Sequence, residues 1–123
     1  MQRKYRLRRR ADFQRVRTQG RSWRHPFLTL GVAPNTLGSV RCGFVTGRRL
    51  GSAVTRNRVR RLLREAVRSF IPTLKSGYDL TFIARDEIVG QAYNNVRTAI
   101  GELLSRAHLL HETKAEPKPG DER

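Results

Sequence analysis

With 123 residues, 37% of them hydrophobic, the chain is long enough for one domain with a modest core. Twenty-six Lys and Arg against ten Asp and Glu give a net charge of +16 and a pI near 11.7, a self-repulsion that a polyanion relieves. No apolar run approaches the ~18 residues of a membrane span, and no apolar segment follows the basic start as in a signal peptide. The single Cys42 excludes an internal disulfide and a thiolate zinc cluster. A soluble cytoplasmic protein, with no membrane partner, is expected.

The charge is unevenly placed. Residues 1–24 carry ten basic groups and one acid, and residues 41–68 carry nine arginines and one acid; the remainder is close to neutral. Two blocks of one sign favour a polyanion site over a merely solvated surface. Only four of the basic residues are lysines, and guanidinium adds bidentate phosphate contacts and stacking on bases.

In chain order, residues 1–10 (MQRKYRLRRR) are too charged to pack and read as a flexible basic arm. Residues 11–19 predict a short helix closed by Gly20, with Phe13 and Val16 one turn apart. Residues 26–33 and 39–46 predict two strands around a Pro34-Asn35 to Gly38-Ser39 turn, most simply a hairpin. In the second, Val40, Cys42 and Phe44 share one face and Arg41, Gly43 and Val45 the other. Residues 47–51 form a glycine-bracketed basic loop, which is not a P-loop because no Gly-Lys-Ser/Thr follows. Ser52 then caps a helix running to about Phe70, ended by Pro72. Residues 78–84 predict another strand, and 91–109 an amphipathic helix with Val96, Ile100, Leu103, Leu104 and Ala107 on one stripe. The tail at 111–123 has almost no apolar content and reads as disordered. The expected fold is α+β, one domain over 11–110.

The helix after Ser52 carries the strongest pattern. Advancing about 100° per residue from Val59, Leu62, Leu63, Ala66, Val67 and Phe70 fall on one stripe that must face the sheet. Asn57, Arg58, Arg60, Arg61, Arg64 and Arg68 cover the opposite side and its flanks, interrupted only by Glu65. Like charges at Arg56/Arg60, Arg60/Arg64 and Arg64/Arg68 each destabilise a helix by a few tenths of a kcal/mol. Interspersed glutamates would give solubility without that penalty, so the face reads as a phosphate-binding one. Asn57 adds a hydrogen-bonding group for a ribose, a base edge or a neighbouring backbone. Arg48 and Arg49, just ahead of the helix, extend the same surface.

No catalytic group emerges from the residues. Asp79, Asp86 and Glu87 lack metal-ligand spacing and read as solvated loop or capping carboxylates. His25, His108 and His111 read as surface residues, and Cys42 as a buried structural thiol. Phe13 fits either the core or a base-stacking platform, with periodicity favouring the core; Trp23 is ambiguous in the same way.

The segment GRRLGSAVTRNRVRRLLRE at 47–65 resembles the signature of the bacterial ribonuclease P protein subunit: a basic glycine-containing loop leading into an Arg-Asn-Arg helix that ends in Arg-Glu. Asp12-Phe13 followed by Gly20, the strand from Tyr78 to Arg85 and the final amphipathic helix match the same family, over about residues 5–110. The resemblance implies a two-layer α/β sandwich, with three helices on a central mixed sheet of about four strands and a left-handed β-α-β crossover, against the usual hand. It also implies a noncatalytic subunit bound to ribonuclease P RNA, which cleaves the 5′ leader from precursor tRNA with Mg2+ held mainly by the RNA. By the same resemblance, Arg48, Arg49, Arg56, Asn57, Arg58, Arg60, Arg61 and Arg64 contact that RNA and help position its metals, and Arg68 extends the stripe. A cleft between this helix, the first helix and the sheet would hold the leader, with Phe13 on its floor. Relatives are often aromatic where Arg17 and Leu30 stand, which implies a cleft that stacks less and relies more on charge. The competing expectation is a structural ribosomal or ribosome-assembly protein. DNA is not an expected partner, because no second helix precedes 53–70 to make a helix-turn-helix.

Overall fold

The computed structural model describes residues 1–111. Its strands are β1 (Arg21–Arg24), β2 (Leu28–Pro34), β3 (Arg41–Val45) and β4 (Tyr78–Ala84). Its helices are α1 (Arg10–Gln19), α2 (Ala53–Arg68) and α3 (Tyr93–Arg106). The strands form one mixed sheet in the order β1-β2-β4-β3, with β3 and β4 parallel and the other pairs antiparallel. This is the α+β sandwich expected, with four strands and three helices.

Alternation along the strands builds two unlike faces. Leu28, Leu30 and Val32 of β2, Cys42 of β3, and Leu80 and Phe82 of β4 join Val59, Leu63, Ala66 and Val67 of α2 and Val96, Ile100, Leu103 and Leu104 of α3 in one core. Fully burying a side chain such as Leu63 contributes about 2 kcal/mol, so this layer supplies most of the apolar stabilisation. The other sheet face, with Thr29, Gly31, Gly43, Val45, Thr81 and Ile83, is only partly covered by α1. There Val16, Ala33 and Leu7 form a small second cluster, with Phe13 packed against it.

The hairpin expected of 26–33 and 39–46 does not form, because β4 lies between the two strands. Four consecutive residues of β4, Asp79 to Phe82, are buried, so this strand takes a central place and leaves the shorter, more polar β3 at an edge. The turn at 35–39 instead bonds to the residue preceding β4: Asn35 N–H donates to Gly77 O (2.8 Å) and Gly77 N–H to Ser39 O (3.1 Å). The hairpin that does form joins β2 to β1, a strand the charged run Arg21-Ser22-Trp23-Arg24 concealed. His25 closes its turn, its Nδ1 accepting from Phe27 N–H (3.0 Å). The last helix is shorter than 91–109 at both ends.

The arm at 1–10 also departs from expectation. Its first part makes a 3-10 turn at Arg3–Tyr5, Leu7 is buried, and Leu7 N–H donates to Cys42 O (2.9 Å) beside an Arg6–Cys42 parallel bridge. Buried Leu7, with Met1 and Tyr5 half-buried against the main core, docks this basic stretch against the open edge of β3. Of the tail expected to be disordered, residues 112–123 lie outside the described residues.

Candidate nucleic-acid interface

Ser52 starts α2 as the sequence suggested, its hydroxyl accepting from Thr55 N–H (3.3 Å). Gly51 ahead of it sits at φ 128°, a conformation that other residues rarely adopt. The helix buries Val59, Leu63, Ala66 and Val67, with Leu62 and Phe70 half-buried beside them. Asn57, Arg58, Arg61 and Arg68 are therefore exposed on its outer side, while Arg56, Arg60 and Arg64 lie half-buried along a flank.

Little negative charge answers these arginines. Among the described residues, Arg68 pairs with Glu65 (3.0 Å) and Arg49 with Asp86 (3.2 Å), both exposed pairs of small net worth. Arg60 donates to two neutral oxygens, Asn57 Oδ1 (2.9 Å) and Thr46 Oγ1 (2.5 Å). Asn57 thus orients its neighbour and keeps its amide N–H groups for another acceptor. Arg64 lies over the Phe44 ring, 6.0 Å from its centroid. The buried Nε of Arg64 and that of Arg56 have no hydrogen-bond partner. Burial, and then the charges of Arg6, Arg60 and Arg61, hold the Arg64 guanidinium below its ordinary pKa, the sign of a surface with an unmet demand for anions. Arg48 and Arg49 stand exposed on a 3-10 turn at Arg48–Leu50, at the N-terminal approach to α2.

On the open sheet face, a cleft of about 370 Å³ runs under α1. Phe13 and Val16 form its apolar side, Thr29, Gly31 and Thr81 its floor, and Arg10, Arg17 and Arg21 its rim. Phe13 is half-buried and lies directly on Gly43, where any Cβ would collide with its ring. The cleft shares Val45 and Ile83 with a basin of about 570 Å³ bounded by Arg48, Arg49 and Arg85. Of the elements expected around it, α1 and the sheet wall this cleft, while α2 meets Phe13 across the β3 edge in a smaller pocket that Arg60 and Arg64 line. One expectation needs correction. Leu30, expected in the cleft, is fully buried in the core on the opposite face of the sheet, so only Arg17 of the two departing positions touches the cleft.

Sequence reasoning also misjudged Asp79. It is a fully buried carboxylate on β4, not a solvated one. Arg41 grips it through Nε (2.9 Å) and Nη2 (2.8 Å), Asn35 Nδ2 donates to it (2.9 Å), and Arg15 of α1 completes the cluster. Arg15 also donates to Pro34 O (2.9 Å), and Arg41 approaches Asp12 of α1 (3.5 Å). Burial alone would raise the Asp79 pKa; the bonds from Arg41 and Asn35 and the charges of Arg41 and Arg15 outweigh it and hold the carboxyl below its ordinary value. The cluster fastens α1 to the sheet and so sets the height of Phe13 over the cleft. Its sequence signal was available: Asp79 alternates with Leu80 on a strand otherwise apolar, where an acid demands a partner. Asp86 and Glu87 do lie exposed as expected, on a 3-10 turn. Cys42 is buried, and burial, with the charge of Asp79 adding to it, pushes its thiol up to about 12, as suits a structural thiol.

The comparisons with known proteins agree with one another. A model of the ribonuclease P family matches residues 1–108. A ribonuclease P protein component of Chloroflexus aggregans is 50% identical over 118 residues, covering 95% of this chain and 87% of the relative. One from Roseiflexus castenholzii is 42% identical over 122 residues, 98% of this chain and 100% of the relative. Among solved structures, the Staphylococcus aureus RNase P protein superposes with a TM-score of 0.80 at 25% identity, over 87% of this chain and 98% of that one. The Thermotoga maritima RNase P protein gives 0.76 at 28% identity, over 82% and 96%.

Proposed function

Because this chain belongs to the ribonuclease P family as its protein component, the subunit of a ribonucleoprotein endoribonuclease that matures tRNA 5′ ends, we propose how its two surfaces divide that work. The arginine face of α2, with Arg48 and Arg49, grips ribonuclease P RNA. The cleft beneath α1 takes the single-stranded 5′ leader of precursor tRNA, with Phe13 as the surface on which a base packs. One observation carries this reading: the cleft and the arginine turn are continuous through Val45 and Ile83. A strand lying on the sheet face therefore runs directly to the surface that meets the catalytic RNA.

In this reading the protein binds and orients, and phosphodiester hydrolysis belongs to the RNA in the cytoplasm. The magnesium that such hydrolysis uses is the RNA's. Surfaces lined by arginine repel a divalent cation, and the buried Asp79 carboxylate is already committed to Arg15, Arg41 and Asn35. Among the described residues no three His, Cys, Asp or Glu side chains come together to hold a metal ion, and the contribution of these surfaces is positive charge that lets RNA strands approach.

Reconstitution tests the reading. Mixed with bacterial ribonuclease P RNA at low magnesium, the chain is expected to stimulate leader removal; no stimulation would overturn the proposed division of work between its two surfaces. Phe13→Ala is expected to weaken precursor tRNA, and not mature tRNA, by roughly 5- to 150-fold, the range of about 1–3 kcal/mol for one base on an aromatic ring. Equal affinities for both RNAs in wild type and variant would separate Phe13 from the leader.

A further inference from the structure

A second pocket, of about 290 Å³, lies on the other side of Phe13, across the edge of β3. Arg6 and Arg8 of the N-terminal segment form one wall, Arg60 and Arg64 of α2 the other, and Phe13 and Phe44 the apolar base. Leu7 is buried between the first two, so strand-like alternation turns Arg6 and Arg8 to the same side. The Leu7 N–H to Cys42 O bond and the Arg6–Cys42 bridge hold the segment in register with β3. Four guanidiniums thus converge without a carboxylate: among the described residues none of the four makes a salt bridge, and the buried Nε of Arg64 has no acceptor. Folding alone gains nothing from that convergence, since like charges repel, by about 1 kcal/mol for a pair at about 4 Å even at the dielectric constant of water. An apolar base strengthens the field that an entering anion meets.

We propose that this pocket is a phosphate site for RNA, in which one phosphodiester group is clamped between Arg6 and Arg8 on one side and Arg60 and Arg64 on the other. The N-terminal segment is then part of the RNA interface, held in place by Leu7. The proposal rests on the RNA-binding reading above, and the phosphate has two possible sources, the catalytic RNA and the precursor leader.

The experiment uses the full chain and the salt dependence of binding, whose slope reports the number of neutralised phosphates. Arg6→Ala with Arg8→Ala is expected to lower the slope by about 0.7–0.9, one phosphate's worth. Arg60→Ala with Arg64→Ala does the same, and all four together lower it by about the same single unit, because both pairs hold one group. Arg6→Lys with Arg8→Lys keeps the wild-type slope, which separates charge loss from unfolding. The drop appears in binding to ribonuclease P RNA alone if the phosphate is the catalytic RNA's. It appears in the difference between precursor and mature tRNA binding to the holoenzyme if the phosphate is the leader's. An Arg6/Arg8 variant with the wild-type slope in both arms overturns the site, as does a full two-unit loss in the quadruple variant. If the wild-type chain still binds and stimulates the RNA in that case, the general reading stands and only this pocket falls.

Discussion

Asp79 shows how much one buried charge decides. It is fully buried, and the guanidiniums that neutralise it come from β3 and from α1, so the carboxylate is the pin that joins two elements. Replacing it with asparagine keeps the shape but leaves Arg15 and Arg41 with only the more distant Asp12 carboxylate, 3.8 and 3.5 Å away. Breaking a buried pair from one side costs about 3–5 kcal/mol, and partial exposure of both arginines places this one near about 3 kcal/mol. Asp79→Asn is therefore expected to lower the unfolding free energy by that amount, read as a lower urea midpoint at unchanged m-value, and Phe13-dependent precursor binding should weaken in the fraction that folds. The acid limb follows from linkage. The folded pKa lies below the unfolded value of about 3.9, so the unfolded chain binds the extra proton. The stability that Asp79 contributes is complete above about pH 4 and is lost as pH falls through its folded pKa. Urea melts from pH 7 downward should show this loss in the wild type and a flatter limb in Asp79→Asn; parallel limbs would refute the depressed pKa. Cost and sign of this kind were hidden at the sequence level because an acid's partners lie far along the chain, at Arg15, Asn35 and Arg41.

Elements were legible in proportion to how locally they are determined. The period of α2, its Ser52 cap and its apolar stripe are set by residues within four positions of each other, and all reappear in the fold. Two variants check that account. Ser52→Ala should cost about 1 kcal/mol by orphaning Thr55 N–H, and Leu63→Ala about 2–5 kcal/mol, both read from denaturant unfolding. If Ser52→Ala proves neutral, the cap is satisfied by water. Strand pairing, by contrast, is decided non-locally. The strands at 28–34 and 41–45 look like a hairpin until the more apolar 78–84 competes for the place between them. The edge strand at 21–24 was missed because an edge tolerates the arginines that a central strand excludes. Leu7 was missed for a related reason: net charge says nothing about a single apolar residue at the right register. The arginine face of the candidate site was plain in the sequence, whereas its continuity with the cleft and the second wall at Arg6 and Arg8 required the sheet order.

At the scale of the molecule, +16 on a chain of this size is a stored repulsion, concentrated along α2, which meets the 48–49 turn at its start and the N-terminal segment along its flank. Only two of the arginines on α2 and the turn have a carboxylate within reach among the described residues, Arg49 and Arg68, so the field is directed outward. General screening and specific anion binding then stabilise the fold to different extents. Sodium chloride at about 0.15 M shortens the reach of the repulsion to about 8 Å but leaves the closest arginines unmatched. A multivalent anion that binds only the folded clusters adds RT ln(1 + [L]/Kd), about 2.7 kcal/mol at one hundred times its Kd. For a domain near one hundred residues this corresponds to a rise in Tm of roughly 10–20 °C. Thermal unfolding with inorganic tripolyphosphate is therefore expected to show a saturating rise that sodium chloride at equal ionic strength does not reproduce. The rise should shrink when Arg60 and Arg64 are replaced by alanine, because the α2 flank would then hold the anion less tightly. Equal stabilisation by the two salts would mean that the charge is diffuse, and that the folded surface holds no preformed phosphate sites.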